Sequence, residues 1–280
     1  MWTSKVWFVL GTAALLLLAA VLAGTLLKSS SGSEALQYFE QNFLTRAAAY
    51  QRSAILVSVA RQLIFWGALS AVAAVVWKQF PSQARAPLLP TVAYLALIVL
   101  LLSLLTFPLD YYRGFILEHR FGLSLQSFSG WLADYVKNFS ISFLLTVLAL
   151  SGLHLLMVRL PGRWWPAAGI FVTLFLVLST YLYPVIIDPL FYRFTTLEDE
   201  ELRSSIIEMS EEAGIEVDKV LVADASRRTA KVNAYFTGMG RTKRIVIFDN
   251  LLAGFSKEEI LAVIAHEMGH WKHSHIFKGI

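Results

Sequence analysis

The sequence contains no cysteine and carries charge on only 16% of its 280 residues. Without cysteine the chain can form neither a disulfide framework nor an iron–sulfur cluster, and a zinc site must use other ligands. Soluble globular chains average about 25% charged residues and disordered chains are rich in charge, so both classes are excluded. The net charge of +4 is too small an excess of basic residues to indicate a nucleic-acid partner.

Hydrophobic residues make up 56% of the sequence, and the acidic residues are unevenly placed along it. Residues 1–187 contain only five acidic residues, whereas the last 93 residues contain the other 15. A long apolar region followed by a polar one is typical of a membrane protein with an extramembranous domain. We therefore predict a transmembrane region at 1–187 and a polar module at 188–280, with membrane lipid as a partner.

Five charge-free stretches approach or exceed the roughly 20 apolar residues needed to cross the hydrocarbon layer. They predict five transmembrane helices at about 6–27, 60–78, 86–109, 138–158 and 164–187. The first could instead be a signal peptide, but its apolar run is too long and no typical cleavage site follows, which favours a retained helix. The second is the shortest and requires the basic residues at its ends to reach the interface.

An odd number of spans places the two ends of the chain on opposite sides of the membrane. Basic residues outside the spans are slightly more numerous on the side of the C-terminal module. The positive-inside rule therefore predicts a cytoplasmic module and an external or lumenal N-terminus. A bacterial inner membrane and the endoplasmic reticulum are both compatible with this arrangement.

The polar module shows the alternation of a small α/β domain. A helix is predicted at 198–213, ended by Gly214, and strands are predicted at 219–223, 232–236 and 244–248. The last two strands flank a glycine-containing loop and are expected to form a hairpin. Ser256 and Glu259 have the spacing of a capping box and should start a helix that runs to about His275. The predicted fold class is mainly α, a multi-spanning membrane helical bundle with a small α/β module.

The last predicted helix contains His266, Glu267 and His270 in an H-E-x-x-H pattern. Residues four apart lie one above the other on a helix face, so both imidazoles can bind one zinc ion. Glu267 adjoins the first ligand and suits a general base and acid in peptide hydrolysis. The pattern predicts Zn²⁺ as cofactor, two histidine ligands and a catalytic glutamate, against the alternative of a chance match to a short motif.

A catalytic zinc ion needs a third protein ligand, which the sequence does not identify. His273 lies about 10.5 Å along the helix from His266, and His275 falls on the opposite face, so neither suits the same ion. Asp224 and Asp249 could serve only if the fold brings them to the helix.

Three segments around this helix resemble the zinc CAAX prenyl endopeptidases. They are N-A-Y-F-T-G from Asn233, K-R-I-V-I-F-D-N-L-L from Lys243 and A-H-E-M-G-H-W-K from Ala265. Upstream segments at 118–124 and 188–191 agree. The HtpX-like membrane proteases share the zinc motif and a similar strand, but look more distant because five predicted spans, rather than two, precede the motif here.

The resemblance implies an integral-membrane zinc metalloendopeptidase that removes the last three residues of prenylated, CAAX-type proteins. It also implies seven membrane helices around an internal chamber, with the zinc site at the cytoplasmic end. In that family two spans and a glutamate ligand follow the zinc motif, and the 280 residues contain neither. We therefore expect a fragment or a shortened chain, whose site is incomplete at its C-terminal end.

The segment Asn233, Ala234, Tyr235 and Phe236 has two interpretations. It can be an edge strand that pairs with an extended substrate, main chain to main chain, or simply one strand of a hairpin whose Tyr235 and Phe236 pack on the zinc helix. The expected partner is a protein or peptide with a membrane-proximal C-terminus. Two other functions stay open, an HtpX-like quality-control protease and a non-catalytic membrane scaffold.

Two charged segments are expected to have ordinary roles. Residues 118–120 are interpreted as an ion-paired loop at the membrane boundary. Arg227, Arg228 and Lys231 could contact anionic lipid or a substrate carboxylate, but a solvated face is the default interpretation.

Overall fold

The computed structural model describes residues 35–77, 87–237 and 243–273. The helix predicted at 6–27 lies outside these residues. A short helix, α1 (Ala35–Tyr38), precedes three long elements: α2 (Gln41–Trp77), α3 (Leu88–Tyr111) and α4 (Phe128–Arg159). A fourth, α5 (Trp164–Leu182), follows. Within the described residues four helices are long and apolar enough to cross a membrane.

Two of the long helices begin well before the charge-free stretches that predict them. Helix α2 starts at Gln41 and α4 at Phe128, whereas the stretches start at about 60 and 138. A charge-free run marks the part of a helix suited to hydrocarbon, but a helix continues through charged residues wherever its backbone bonds are intact. The side-chain oxygen of Ser127 caps α4 by accepting from the Gly130 backbone N–H.

Helices α3 and α5 both continue into π-helical segments. Tyr112–Leu117 follows α3, and Tyr183–Ile187 follows α5. A further helical turn completes each, at Glu118–Arg120 and Asp188–Phe191. Single π turns inside helices occur often at functional sites.

The chain divides into two compact units, and Leu102–Phe121 belongs with the residues up to Val75. Three polar contacts join α2 to this second half of α3 and its extension. The Arg46 guanidinium donates to the Phe121 carbonyl at 2.8 Å, the Tyr50 hydroxyl donates to Glu118 at 2.5 Å, and Arg61 pairs with Asp110 at 2.5 Å. The prediction of a loop at 118–120 is therefore wrong, because these residues form the last helical turn.

The other unit contains Val76–Leu101 and the chain from Gly122 onward. Within it, α4 and α5 pack closely at a glycine. A Cβ atom on Gly152 would lie 2.5 Å from the ring of Phe171, so only glycine permits this approach without movement of the ring.

The module is built on a four-stranded sheet in the order β1-β2-β4-β3. The strands are β1 (Phe194–Thr196), β2 (Lys219–Ala223), β3 (Ala234–Thr237) and β4 (Arg244–Phe248). Strands β2 and β4 are parallel, and the other two pairs are antiparallel. The predicted hairpin is confirmed, with Tyr235 opposite Val246. Strand β1 has only three residues, too few for an alternating pattern, and was not predicted.

Three helices complete the module: α6 (Glu200–Glu212), α7 (Asp249–Gly254) and α8 (Lys257–Lys272). Gly214 follows α6 with φ +74°, a conformation that glycine adopts without strain. Helices α6 and α8 pack on one sheet face, where Ile206, Ile247 and Ile264 are fully buried. The opposite face holds a smaller cluster around Val246 and Phe248. The predicted fold class, mainly α with membrane helices and a small α/β module, is confirmed.

Candidate active site

Helix α8 presents the H-E-x-x-H residues from a fixed position. The predicted capping box is present, since Ser256 Oγ accepts from the Glu259 N–H and Glu259 Oε2 accepts from the Ser256 N–H at 2.8 Å. Ile260, Ile264 and Met268 recur every four residues and are buried in the module core. The buried stripe fixes the rotation of the helix about its axis, which leaves the two histidines exposed.

The two predicted ligands converge. His266 Nε2 and His270 Nε2 lie 3.1 Å apart, with the rings nearly perpendicular at 78°. Two nitrogens bound to one tetrahedral zinc ion at 2.0–2.1 Å are about 3.3–3.4 Å apart. The observed separation is a hydrogen-bond distance and is also close to the one that a shared metal ion requires, so the pair fits a metal ion. Within residues 35–77, 87–237 and 243–273, no cluster of three metal-ligating side chains is present.

The other candidate ligands are engaged elsewhere or fall outside the described residues. Asp249 accepts hydrogen bonds from the Ser226 backbone N–H at 2.8 Å and its hydroxyl at 2.5 Å. Asp224 accepts from the Arg193 backbone N–H at 2.7 Å. His273 is the C-terminal cap of α8, and His275 lies outside the described residues. These contacts give both aspartates a structural role, Asp224 in the loop before β3 and Asp249 at the first residue of α7.

Strand β3 lies at an edge of the sheet and pairs with β4 on its other side, so the hairpin is present and the edge position that substrate pairing requires is available. The Asn233 carbonyl accepts from the Phe248 N–H at 3.0 Å. Hydrogen-bonded and non-hydrogen-bonded pairs alternate in an antiparallel ladder. The backbone groups of Asn233 and Tyr235 therefore face β4, while those of Ala234 and Phe236 face the open edge.

The side chains of β3 hold it from both sides. Ala234 is 2% exposed in the core beneath α8, and the ring of Phe236 lies 6.0 Å from that of Trp271, next to His270. The expectation that Tyr235 also packs on α8 is wrong, because side chains alternate along a strand: Tyr235 lies on the other face, where its hydroxyl donates to Asp188 at 3.2 Å. The family resemblance includes Asp188 only as part of the segment 188–191 and gives it no role, because a single carboxylate at the end of an apolar stretch forms no motif.

Arg228 is not the solvated residue that the sequence analysis expected. Its side chain is 16% exposed and pairs with Asp134 at 3.1 Å. The guanidinium also lies over the rings of Phe191 and Tyr192. Burial raises the pKa of Tyr192, and the positive charge of Arg228 opposes that shift. The pair joins the loop before β3 to α4.

Comparisons with known proteins agree with this geometry. Residues 28–193 match the family described as CAAX prenyl protease N-terminal, five membrane helices, and residues 196–280 match peptidase family M48. CAAX prenyl protease 1 of Saccharomyces cerevisiae is 36% identical over 187 residues, which cover 66% of this chain and 41% of that protein. The uncharacterized metalloprotease YhfN of Bacillus subtilis is 36% identical over 192 residues, 69% of this chain and 45% of that protein.

A solved structure is also similar. The crystal structure of S. mikatae Ste24p superimposes with a TM-score of 0.70 at 30% identity, covering 84% of this chain and 57% of that one. The chain thus spans less than half the length of the two relatives above. Its membrane helices and these matches establish an integral membrane protein. The family match covers more than half of the sequence, and the predicted resemblance is confirmed: the chain belongs to the CAAX prenyl protease family of M48 peptidases.

Proposed function

We propose that this chain is a membrane-embedded zinc metalloendopeptidase that cleaves residues from the C-terminus of CAAX-type, prenylated proteins. The convergence of His266 Nε2 and His270 Nε2 to 3.1 Å, on a capped helix beside an edge strand, supports the proposal most strongly. Its family membership supports the substrate class, since the yeast relative is named a CAAX prenyl protease.

His266 and His270 are the residues that would hold Zn²⁺, through their Nε2 atoms. A zinc ion bound there polarises the scissile carbonyl and makes a water molecule more acidic. Glu267 takes a proton from the attacking water, whose oxygen adds to the carbonyl carbon, and gives a proton to the leaving amine as the C–N bond breaks. Glu267 is partly exposed and directly follows the first proposed ligand, so its carboxylate is accessible to a water molecule beside the metal.

Strand β3 would align that substrate. The outward N–H and C=O groups of Ala234 and Phe236 can pair with an extended peptide as a further strand. Asn233 would contribute at the start of the same strand. We expect Asn233→Ala to lower substrate turnover while zinc content stays normal, and unchanged turnover would remove Asn233 from the substrate site.

The proposed substrate is a membrane-proximal C-terminus on the cytoplasmic side. A prenyl chain inserts into lipid and so keeps the adjoining peptide near the membrane surface. The small excess of basic residues on the module side is the support for a cytoplasmic module. Zinc motif and edge strand are equally compatible with a quality-control protease, so the choice of peptide decides between the two functions.

The test uses the purified full chain in liposomes with a farnesylated peptide ending in a CAAX sequence, and with the same peptide unprenylated. We expect cleavage of the farnesylated peptide three residues from its end. Glu267→Gln should lower the rate about 10²–10⁴-fold, the range for loss of a general base. Glu258→Gln, a change to an exposed glutamate of the same helix, should leave the rate unchanged.

Three results would contradict the proposal. Full activity of Glu267→Gln would refute its catalytic role. If unprenylated peptide and unfolded membrane proteins are cleaved as fast as the farnesylated peptide, the quality-control function is favoured. Zinc binding without cleavage of any peptide would leave the scaffold function.

A further inference from the structure

A buried carboxylate lies under the strand that the proposed substrate would pair with. Asp188 is 8% exposed, and the described part of the chain has only two other buried polar side chains, Thr106 and Ser210, both uncharged. Its Oδ2 atom accepts the Tyr235 hydroxyl hydrogen at 3.2 Å. A buried carboxylate is costly unless it accepts hydrogen bonds, so this contact stabilises both residues in place.

A second contact joins the same helical turn to the hairpin. In the π segment after α5 the Asp188 N–H bonds to the Tyr183 carbonyl, five residues back. The next bond of that pattern would need an N–H from residue 189 for the Pro184 carbonyl, but Pro189 has none. The Arg244 guanidinium, from β4, donates to that carbonyl instead. Because Pro189 has no N–H, the Pro184 carbonyl is left available to accept from Arg244.

The two contacts hold the hairpin at neighbouring points. Tyr235 lies between Ala234 and Phe236, whose backbone groups face the open edge, and Arg244 pairs with Thr237 at the end of β3. Burial raises the pKa of Tyr235, and the nearby Asp188 charge and its hydrogen bond raise it further. The hydroxyl therefore remains a donor throughout the neutral pH range. Tyr235 packs on one sheet face, and the helix that carries the zinc motif packs on the opposite face.

We propose that Asp188 is a positioning residue for substrate binding, which fixes edge strand β3 through the Tyr235 hydroxyl. This inference rests on the proposed function, since it assigns Asp188 to the strand that would bind the peptide. Strand β3 has four residues and one neighbouring strand, so the tether limits its movement away from β4. Loss of the tether should weaken peptide binding and leave the chemical step intact.

The experiment compares Tyr235→Phe, Asp188→Ala and Asp188→Asn in the full chain, with the farnesylated CAAX peptide as substrate. Tyr235→Phe and Asp188→Ala should each raise KM about tenfold, the size expected for one hydrogen bond to a charged group, with kcat within about twofold. The double variant should resemble the single ones, because both remove the same bond. Asp188→Asn keeps an acceptor and should stay near the unmutated KM. Tyr192→Phe, on the same sheet face but outside β3, is the matched control.

Two further measurements separate this inference from the proposed function. Zinc content should be unchanged in every variant, which shows that the site is folded. Hydrogen exchange at residues 233–237 should accelerate about five- to tenfold in Tyr235→Phe and not in Tyr192→Phe, whether or not the chain cleaves peptide. If the unmutated chain is inactive, the proposed function fails on its own. Unchanged exchange, a fall in kcat with constant KM, or an Asp188→Asn KM as high as that of Asp188→Ala would each overturn the role of Asp188.

Discussion

The membrane helices and the sheet module are both rich in apolar residues, but the helices expose most of these side chains on their surface, whereas the module buries them in its core. Leu174 on α5 is 63% exposed, whereas Ile264 on α8 is 0% exposed. Among the described residues only three buried apolar side chains belong to the long helices themselves, Leu102, Trp131 and Ala168, and Leu117 lies in the π segment after α3. Lipid is as apolar as leucine, so it solvates the helices, while the module must bury its apolar groups against one another. The same residue type therefore stabilises the two regions by different means.

The largest expected effect tests this difference directly. Ile264→Ala should lower the free energy of unfolding by about 2–5 kcal/mol, because it removes buried methyl groups and leaves a cavity. Leu174→Ala should cost less than about 1 kcal/mol, since the lost contacts are with lipid. Denaturant titration in detergent micelles, followed by tryptophan fluorescence, measures both. Equal losses of stability in the two variants would contradict the proposed difference between the two regions.

A smaller effect is expected where α4 meets the loop before β3. Arg228→Ala removes one partner of a pair whose side chains are 16% and 17% exposed. Loss of one partner of a buried pair usually costs about 3–5 kcal/mol. Asp134 also accepts from Lys137 and Gln126, so we expect about 2–3 kcal/mol here.

The exposed pair Lys257–Glu201 is the control for that measurement. Its glutamate side chain is 83% exposed, so Lys257→Ala should cost less than about 1 kcal/mol. A loss as large as that of Arg228→Ala would show that burial does not decide the strength of these pairs.

Apart from the control variants, the smallest expected loss of stability concerns the start of the zinc-motif helix. Ser256→Ala removes the capping box and should lower stability by about 1 kcal/mol, because the Glu259 N–H loses its acceptor. Ser204→Ala, at an exposed position within helix α6, should be neutral or slightly stabilising. Thermal unfolding of the two variants checks the difference.

The same contrast explains what could be predicted from the sequence. Secondary structure in the module follows local signals, such as the Ser256–Glu259 spacing and Gly214, and the structure has each of these features. The proposed ligand pair is also local, since His266 and His270 are one helical turn apart. The contacts of Asp188 and Arg228 could not be predicted, because their partners are distant in the sequence. Asp188 and Tyr235 are 47 positions apart, and Arg228 and Asp134 are 94 positions apart. Strand β1 could not be predicted either, because its three residues form a strand only by pairing with β2.

The most direct test of the zinc site is the zinc content of the purified chain, measured by mass spectrometry of the metal. We predict about one zinc ion per chain in the unmutated protein and in Glu267→Gln, since the glutamate acts on water rather than on the metal. His266→Ala and His270→Ala should each lose nearly all of it, while His273→Ala should retain it. An unmutated chain without zinc, or a His266→Ala variant with a full complement, would contradict the assignment.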